Sequence, residues 1–330
     1  MAETKLYDSH GRPMEYMRLA VTDRCNLRCF YCMPHEGMEF VPRKELLTYE
    51  EMLRLTRIMV EMGVNKIRLT GGEPFVRKNM YGFIKRLTAI DGLEKVNITT
   101  NGAVANRHIP FLKEIGVDSI NLSLDTLDKK RYEEITRRDF YDSAMSTYRA
   151  VLDAGMKLKV NMVVMADKNV DDIIPMAMLT KDDPVNIRYI EEMPFNGTGE
   201  RDVSFMDHQQ IFQHLKDNLP SIKVIPSIAG QTATNYSIKG HRGTVGIIAA
   251  WSRTFCGDCN RIRVTATGGL KNCLYDSGVL DLKRLLSDGS SDTMIKEAIA
   301  IAYGKKLKNG FESEKHRLSS ITESMSSIGG

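Results

Sequence analysis

The 330-residue chain has six cysteines and none at all between Cys32 and Cys256. They fall in two triplets, Cys25/Cys29/Cys32 and Cys256/Cys259/Cys273. A chain of this length has no need of the disulfide framework that small secreted domains use. The clustering instead favours two metal centres in a reducing compartment. Long apolar runs are missing too: none approaches membrane-spanning length, and residues 1–13 are polar, without the apolar stretch of a secretory signal. A soluble, cytoplasmic protein is expected. Charge of one sign is scarce, with a net +4 and basic residues interspersed among acids. That argues against a nucleic-acid surface and is compatible with a small anionic substrate. No internal repeat, low-complexity segment, Ser–His–Asp set or paired-carboxylate set is apparent.

What is present is a strand-then-helix rhythm. Strand-like apolar runs occur at 17–21, 66–70, 95–99, 119–123, 158–164 and 186–190. Helix-like segments lie between them, the first at 48–62, opening on a capping-box pattern from Thr48 to Glu51 and stopping at Gly63. The others are near 79–90, 108–115, 142–154 and 170–179. Six β/α units with right-handed crossovers predict a parallel sheet curved into a partial barrel. After Met193 the rhythm gives way to a glycine-containing loop, a helix at 207–219, short strands at 222–225, 235–238, 244–250 and 261–265, and helices near 282–286 and 292–305. The expected class is α/β: an incomplete (β/α)6 TIM-like barrel over 1–193 and a smaller α+β C-terminal region over 194–330. The serine- and glycine-rich tail, 319–330, reads as disordered by composition alone.

Barrel enzymes build their sites at the C-terminal ends of strands. There this sequence places Thr22 and the cysteine loop, Thr70-Gly71-Gly72-Glu73-Pro74, Thr99-Thr100-Asn101-Gly102, Ser123-Leu124-Asp125 and Glu191-Glu192-Met193, with Asn161 inside its strand. The first triplet is spaced C-x3-C-x2-C, with no fourth cysteine nearby. Three thiolates leave one coordination position open, which suits a reactive iron–sulfur cluster; a structural zinc site or scattered buried thiols is the plainer reading. The second triplet, C-x2-C-x13-C, likewise has three thiols, its nearest histidine being His241. Strand alternation puts Arg261 and Arg263 on one face beside it. An open metal next to two guanidiniums is suited to an anion that also carries a nitrogen or oxygen donor.

C-x3-C-x2-C with Tyr31 just before its last cysteine, followed by Gly-Gly-Glu-Pro, resembles the signature of the radical S-adenosylmethionine (SAM) superfamily. The runs Met17–Cys25 and Phe255–Arg263 and the Gly329-Gly330 end narrow the resemblance to its GTP 3′,8-cyclase family, over nearly the whole chain. The resemblance implies two [4Fe–4S] clusters, held by Cys25, Cys29 and Cys32 and by Cys256, Cys259 and Cys273. It implies SAM contacts at Tyr31, Gly72, Ser123 and Met193, with Arg188 a further candidate for the SAM carboxylate. GTP contacts are implied at Arg18, Arg68, Thr99, Lys159, Arg261 and Arg263, the last two as the reaction-facing pair, and Gly329 and Gly330 are implicated at the site.

The implied activity is the radical conversion of GTP to 3′,8-cyclo-7,8-dihydro-GTP, the first step of molybdenum cofactor biosynthesis. Implied partners are a flavodoxin- or ferredoxin-like electron donor and cyclic pyranopterin monophosphate synthase, with a homodimer in view and neither nucleic acid nor membrane. Two alternatives stand beside this: another radical SAM enzyme with an auxiliary cluster, such as a peptide-maturing one, and a non-catalytic metal module that binds nucleic acid.

Overall fold

A computed structural model describes residues 5–34, 38–195, 205–317 and 324–329. The first part alternates strand and helix: β1 (Tyr16–Ala20), α1 (Tyr49–Glu61), β2 (Lys66–Thr70), α2 (Met80–Thr88), β3 (Lys95–Thr100), α3 (Ile109–Glu114), β4 (Ser119–Ser123), α4 (Lys129–Thr136), α5 (Tyr141–Asp153), β5 (Lys157–Val164), α6 (Ile173–Asp182) and β6 (Val185–Glu191). There follow α7 (His208–Asn218), β7 (Lys223–Val224), β8 (Thr234–Ser237), β9 (Thr244–Ile248), β10 (Arg261–Val264), β11 (Gly269–Lys271), β12 (Leu280–Asp281), α8 (Leu282–Ser287), α9 (Asp292–Gly304), α10 (Gly310–Lys315) and α11 (Met325–Ile328).

Local chemistry sets the element ends. At the start of α1 the Glu51 amide donates to the Thr48 hydroxyl, and the Thr48 amide donates back to the Glu51 carboxylate. Helix α4 was not expected, because Lys-Lys-Arg-Tyr-Glu-Glu-Ile-Thr carries only a narrow apolar stripe. It buries Tyr132, Ile135 and Thr136 alone and is started by Asp128, whose side chain accepts from the Arg131 amide.

The twelve strands of the described residues form one sheet, in the order β12-β11-β10-β1-β2-β3-β4-β5-β6-β9-β8-β7. The eight from β10 to β9 run parallel, and an antiparallel pair is added at each end. The strands after residue 193 therefore do not stack as a separate layer. They extend both edges of the sheet that β1–β6 begin, and β10 returns the chain to the side of β1.

Parallel sheets covered on both sides usually read as near-continuous apolar runs. These strands alternate. One face carries Met17, Leu19, Ile67, Leu69, Ile98, Ile120, Leu122, Val160, Ile187, Ile262 and Val264, all buried in the core with residues of α1, α2, α5 and α6. Each such side chain contributes about 1.5–3 kcal/mol by leaving water. The opposite face carries Tyr16, Arg68, Asn97, Asn121, Arg261 and Arg263, which are also buried, and the half-buried Arg18. A face that is both polar and out of solvent is unstable unless something polar fills it, and it is where the site lies.

Candidate active site

The first cysteine triplet sits on the loop that leaves β1. Two turns of Gly71-Gly72 clamp that loop from β2. The Gly72 amide donates to the Thr22 carbonyl (2.8 Å) and the Glu73 amide to the Arg24 carbonyl (2.8 Å). A Cβ on Gly72 would lie 2.2 Å from the Arg24 carbonyl oxygen, and one on Gly71, at φ +127°, 2.2 Å from that of Thr22. The glycines are thus required by the approach of one backbone to another. From the far side, Arg28 and Phe30 amides donate to the Thr136 and Ile135 carbonyls at the end of α4 (2.9 and 3.2 Å).

Glu73 braces this corner. Its carboxylate accepts from the Thr100 hydroxyl (2.9 Å) and from the amides of Asn101 (2.7 Å) and Phe75 (3.1 Å). Burial pushes its pKa up to about 7, with those hydrogen bonds working against the rise. Asp125 does the same for Tyr31: one oxygen accepts from the phenol (2.8 Å) and the other from the Val163 amide (2.8 Å). A cavity collects the result: Cys25, Cys29, Cys32, Tyr31, Gly72 and Ser123 line it, together with Thr99, Asp125 and Glu192.

The second triplet lies at the edge of β10. Cys256, Cys259 and Cys273 line a second cavity with Arg18, Arg68, Arg188, Arg253, Arg261 and Arg263. The registers Arg18↔Arg263 and Arg18↔Arg68 set three guanidiniums side by side. Burial and neighbouring guanidiniums lower the proton affinity of two of them: Arg18 is pushed well below its ordinary value by burial and then Arg263, and Arg263 comes down to about 10 by burial and then Arg261. Lys159 is pulled down to about 7, by burial first and then by Arg188, Arg68 and Lys66. Arg18 Nε, Arg68 Nε, the Tyr16 hydroxyl, Thr99 Oγ1, Asn121 and Asn161 Oδ1 are buried with no hydrogen-bond partner. A buried polar atom left unpaired costs about 1–3 kcal/mol. So many on one face fit a polyanionic ligand with hydroxyls.

The two cavities adjoin. Asn161, Ile190, Met193 and Met325 line both. The tail makes part of the partition: the Ser324 hydroxyl donates to the Cys32 carbonyl (2.6 Å), and Arg263 Nη1 donates to the Gly329 carbonyl (2.6 Å). Ser324, Ser326 and Ile328 are buried, so these residues are packed although the composition of the tail suggests disorder. Gly330 lies outside the described residues.

Of the expected site residues, Arg18, Arg68, Arg261 and Arg263 come together at the second cavity. Tyr31, Gly72, Ser123 and Met193 line the first. Three land elsewhere than their expected companions. Arg188 lines the second cavity beside Arg68, Thr99 lines the first, and Lys159 lies one strand over, in register with Asn121 and Asn186. Sequence reading passed over Tyr16, Lys66, Asn97 and Asn121. The polar alternation through 16–22, 97–101 and 119–125 was the available signal. It also passed over Arg12 and Lys306, which grip the second triplet and have no sequence signal.

Each thiol triplet lines one of the two cavities. All six are free and reach a cavity. Among the described residues no three His, Cys, Asp or Glu side chains are grouped to hold one metal ion. Burial pushes Cys25 up to about 12, with Glu73 adding to the rise, whereas Cys259 sits at about 6 because Arg261 and Lys306 outweigh its burial.

Residues 19–179 match the model of the radical SAM superfamily and residues 185–311 that of the molybdenum cofactor synthesis C-terminal domain. The chain is 38% identical to the GTP 3′,8-cyclase of Moorella thermoacetica, covering 98% of this chain and 100% of that protein. It is 40% identical to the mitochondrial GTP 3′,8-cyclase of Arabidopsis thaliana, over 91% of this chain and 77% of that one. With molybdenum cofactor biosynthesis protein 1 of Drosophila melanogaster it shares 42% identity, over 92% of this chain and 54% of the fly protein. The chain therefore spans about half the length of its animal relatives. Among solved structures, Streptococcus suis SuiB shares the fold, with a TM-score of 0.60 at 14% identity, over 91% of this chain and 68% of that one. Together with the two thiol triplets and the basic face between them, these likenesses show that the chain belongs to the GTP 3′,8-cyclase family of the radical SAM superfamily.

Proposed function

We propose that the protein converts GTP to 3′,8-cyclo-7,8-dihydro-GTP, the first step of molybdenum cofactor biosynthesis. The observation that carries this reading is the junction of the two cavities: a thiol triplet at each end, and between them a buried face of unpaired cations and amides. In this reading Cys25, Cys29 and Cys32 hold one [4Fe–4S] cluster and Cys256, Cys259 and Cys273 a second. With SAM bound, the first cluster supplies a 5′-deoxyadenosyl radical able to take the hydrogen from C3′ of GTP.

The chain's own residues bind and orient. Arg18, Arg68, Arg261 and Arg263, joined by Arg188 and Lys159, receive the triphosphate through charge-assisted hydrogen bonds. Asn161, Met193 and Met325 form the passage along which ribose and adenosyl groups meet, and Thr99 reaches it from β3. Tyr31, held by Asp125, borders SAM with Ser123 and Met193. Gly72, its amide committed to Thr22, would border SAM with its backbone. Burial of the whole face keeps water from a reactive carbon centre.

Residues 1–193 in this reading form the partial barrel that cleaves SAM, and 194–330 the part that carries the second cluster and the Gly329-Gly330 tail. The electron donor is flavodoxin- or ferredoxin-like, the product passes to cyclic pyranopterin monophosphate synthase, and the enzyme acts in the cytoplasm as a homodimer. The test is GTP deuterated at C3′, given with SAM to reduced, anaerobically reconstituted protein. Deuterium recovered in 5′-deoxyadenosine supports the reading. SAM cleavage without transfer removes GTP, or its C3′, as the site of abstraction.

A further inference from the structure

The two thiol triplets are set in opposite fields. Beside the first lie the buried carboxyl groups Glu73 and Asp125, which raise the proton affinity of Cys25 and Cys29, with Arg28 working against the rise at Cys25. Beside the second lie the buried cations Arg261 and Lys306. Lys306 follows α9 and is only 4% exposed. Its ammonium donates to the carbonyls of Cys259 (2.8 Å) and Arg261 (2.7 Å) and contacts Cys259 Sγ (3.6 Å). Those three contacts use its three N–H donors. Of the carboxylates on that side, Asp8 is already paired with Arg12 (2.6 Å), and Asp276 accepts from the amides of Cys273 (2.8 Å) and Gly278 (2.9 Å).

The two cations differ in their prospects. Arg261 lines the second cavity, so an anionic ligand there competes for its guanidinium. Lys306 stands behind the Cys259–Arg261 strand and does not line that cavity, so its charge stays on the thiolate whether or not a ligand is bound. Arg12 holds the other end of the same loop without touching a sulfur, donating to the carbonyls of Cys256 (3.0 Å), Leu307 (2.8 Å) and Lys308 (2.8 Å). Arg12 fixes the loop's place; Lys306, like Arg261, brings both charge and an N–H to the Cys259 sulfur, but it does so from outside the cavity. Nearby positive charge and hydrogen bonds to ligating sulfur both favour the reduced form of an iron–sulfur cluster.

We propose that Lys306 is a positioning residue for the second cluster that holds Cys259 in place and raises that cluster's reduction potential. The first cluster, in its acidic surroundings, is left at the lower potential that SAM cleavage demands. This inference rests on the two-cluster reading above.

The test compares the wild-type holoenzyme with Lys306→Gln, which keeps an N–H donor and removes the charge, and Lys306→Met, which removes both. Iron content and Mössbauer spectra are recorded first. Potentiometric titrations followed by electron paramagnetic resonance come next, the first cluster being recognised by its response to added SAM. The expected result is a fall of about tenfold or more in the one-electron reduction equilibrium of the second cluster in Lys306→Met, which is about 59 mV. Lys306→Gln falls in between, and the SAM-responsive signal keeps its potential in both. An unmoved second potential in variants that carry both clusters overturns the proposal, as does loss of the second cluster from both variants, which makes Lys306 an assembly residue only. Wild-type protein that assembles a single cluster refutes the two-cluster reading, and the proposal with it.

Discussion

Gly72→Ala separates two uses of one glycine. Gly72 does not have a left-handed φ, so alanine meets no backbone strain there and only contact matters. The new methyl would lie 2.2 Å from the Arg24 carbonyl oxygen, 2.5 Å from its carbon and 2.9 Å from the Asp23 carbonyl oxygen. Those atoms are backbone, so the cysteine loop must retreat by about 1 Å to reach ordinary van der Waals separation. Overpacking of this kind costs about 1–3 kcal/mol. The retreat also stretches the bonds from Gly72 to Thr22 and from Glu73 to Arg24, each worth about 0.5–1.5 kcal/mol. The sum, about 2–6 kcal/mol, is a large part of the total stability of an ordinary domain, and it falls on the loop that presents Cys25. Chemical denaturation should show the loss. Iron analysis should show a first cluster depleted or altered and a second one retained, because Cys256, Cys259 and Cys273 are held by β10, Arg12 and Lys306. A variant within 1 kcal/mol of wild type that keeps its first cluster and loses only SAM affinity would refute the clamp and leave Gly72 as a ligand contact alone.

Three further outcomes follow from the same geometry. Lys159, at about 7 when the cavity holds no anion, regains proton affinity when a triphosphate arrives. GTP binding should then take up a proton above pH 7, and affinity should weaken as pH rises, by up to tenfold per unit; calorimetry in buffers of different ionisation enthalpy reads this, and Lys159→Met should flatten it. The same depressed pKa makes folding stability rise with pH between about 7 and the ordinary lysine value of 10.5, since over that window the unfolded chain binds the extra proton. Gly329→Ala places a Cβ 2.5 Å from Thr70 Oγ1 at φ +76°, and the left-handed backbone alone costs about 1–2 kcal/mol. Product formation should fall sharply with iron content unchanged; full turnover would mean that Arg263 has no need of the Gly329 carbonyl.

Much of this was legible in the residue order because it depends on neighbours along the chain. The spacing of Cys25, Cys29 and Cys32, the pair Gly71-Gly72 after a strand, the capping box at Thr48 and the alternation that sets Arg261 with Arg263 are all local facts. Six β/α units could be read for the same reason, since each apolar run or helical stripe is complete within a dozen residues. Helix α4 escaped because its packing stripe is only three residues wide.

What needed the tertiary structure was whatever depends on strands far apart in sequence becoming neighbours. Parallel pairing of β10 with β1 carries Arg263 to Arg18 and joins the second triplet to the first half of the chain. Nothing in residues 255–263 announces that partner. Registers, not composition, turn scattered arginines and asparagines into one buried polar face. Packing against Cys32 and Arg263, not propensity, holds Ser324 and Gly329 in place. Lys306 is one lysine among many until α9 sets its ammonium behind Cys259. Sequence alone settles the reactive motifs, because coordination and turns are short-range; the fold decides which charges surround each motif, because Coulomb forces act through space and not along the chain.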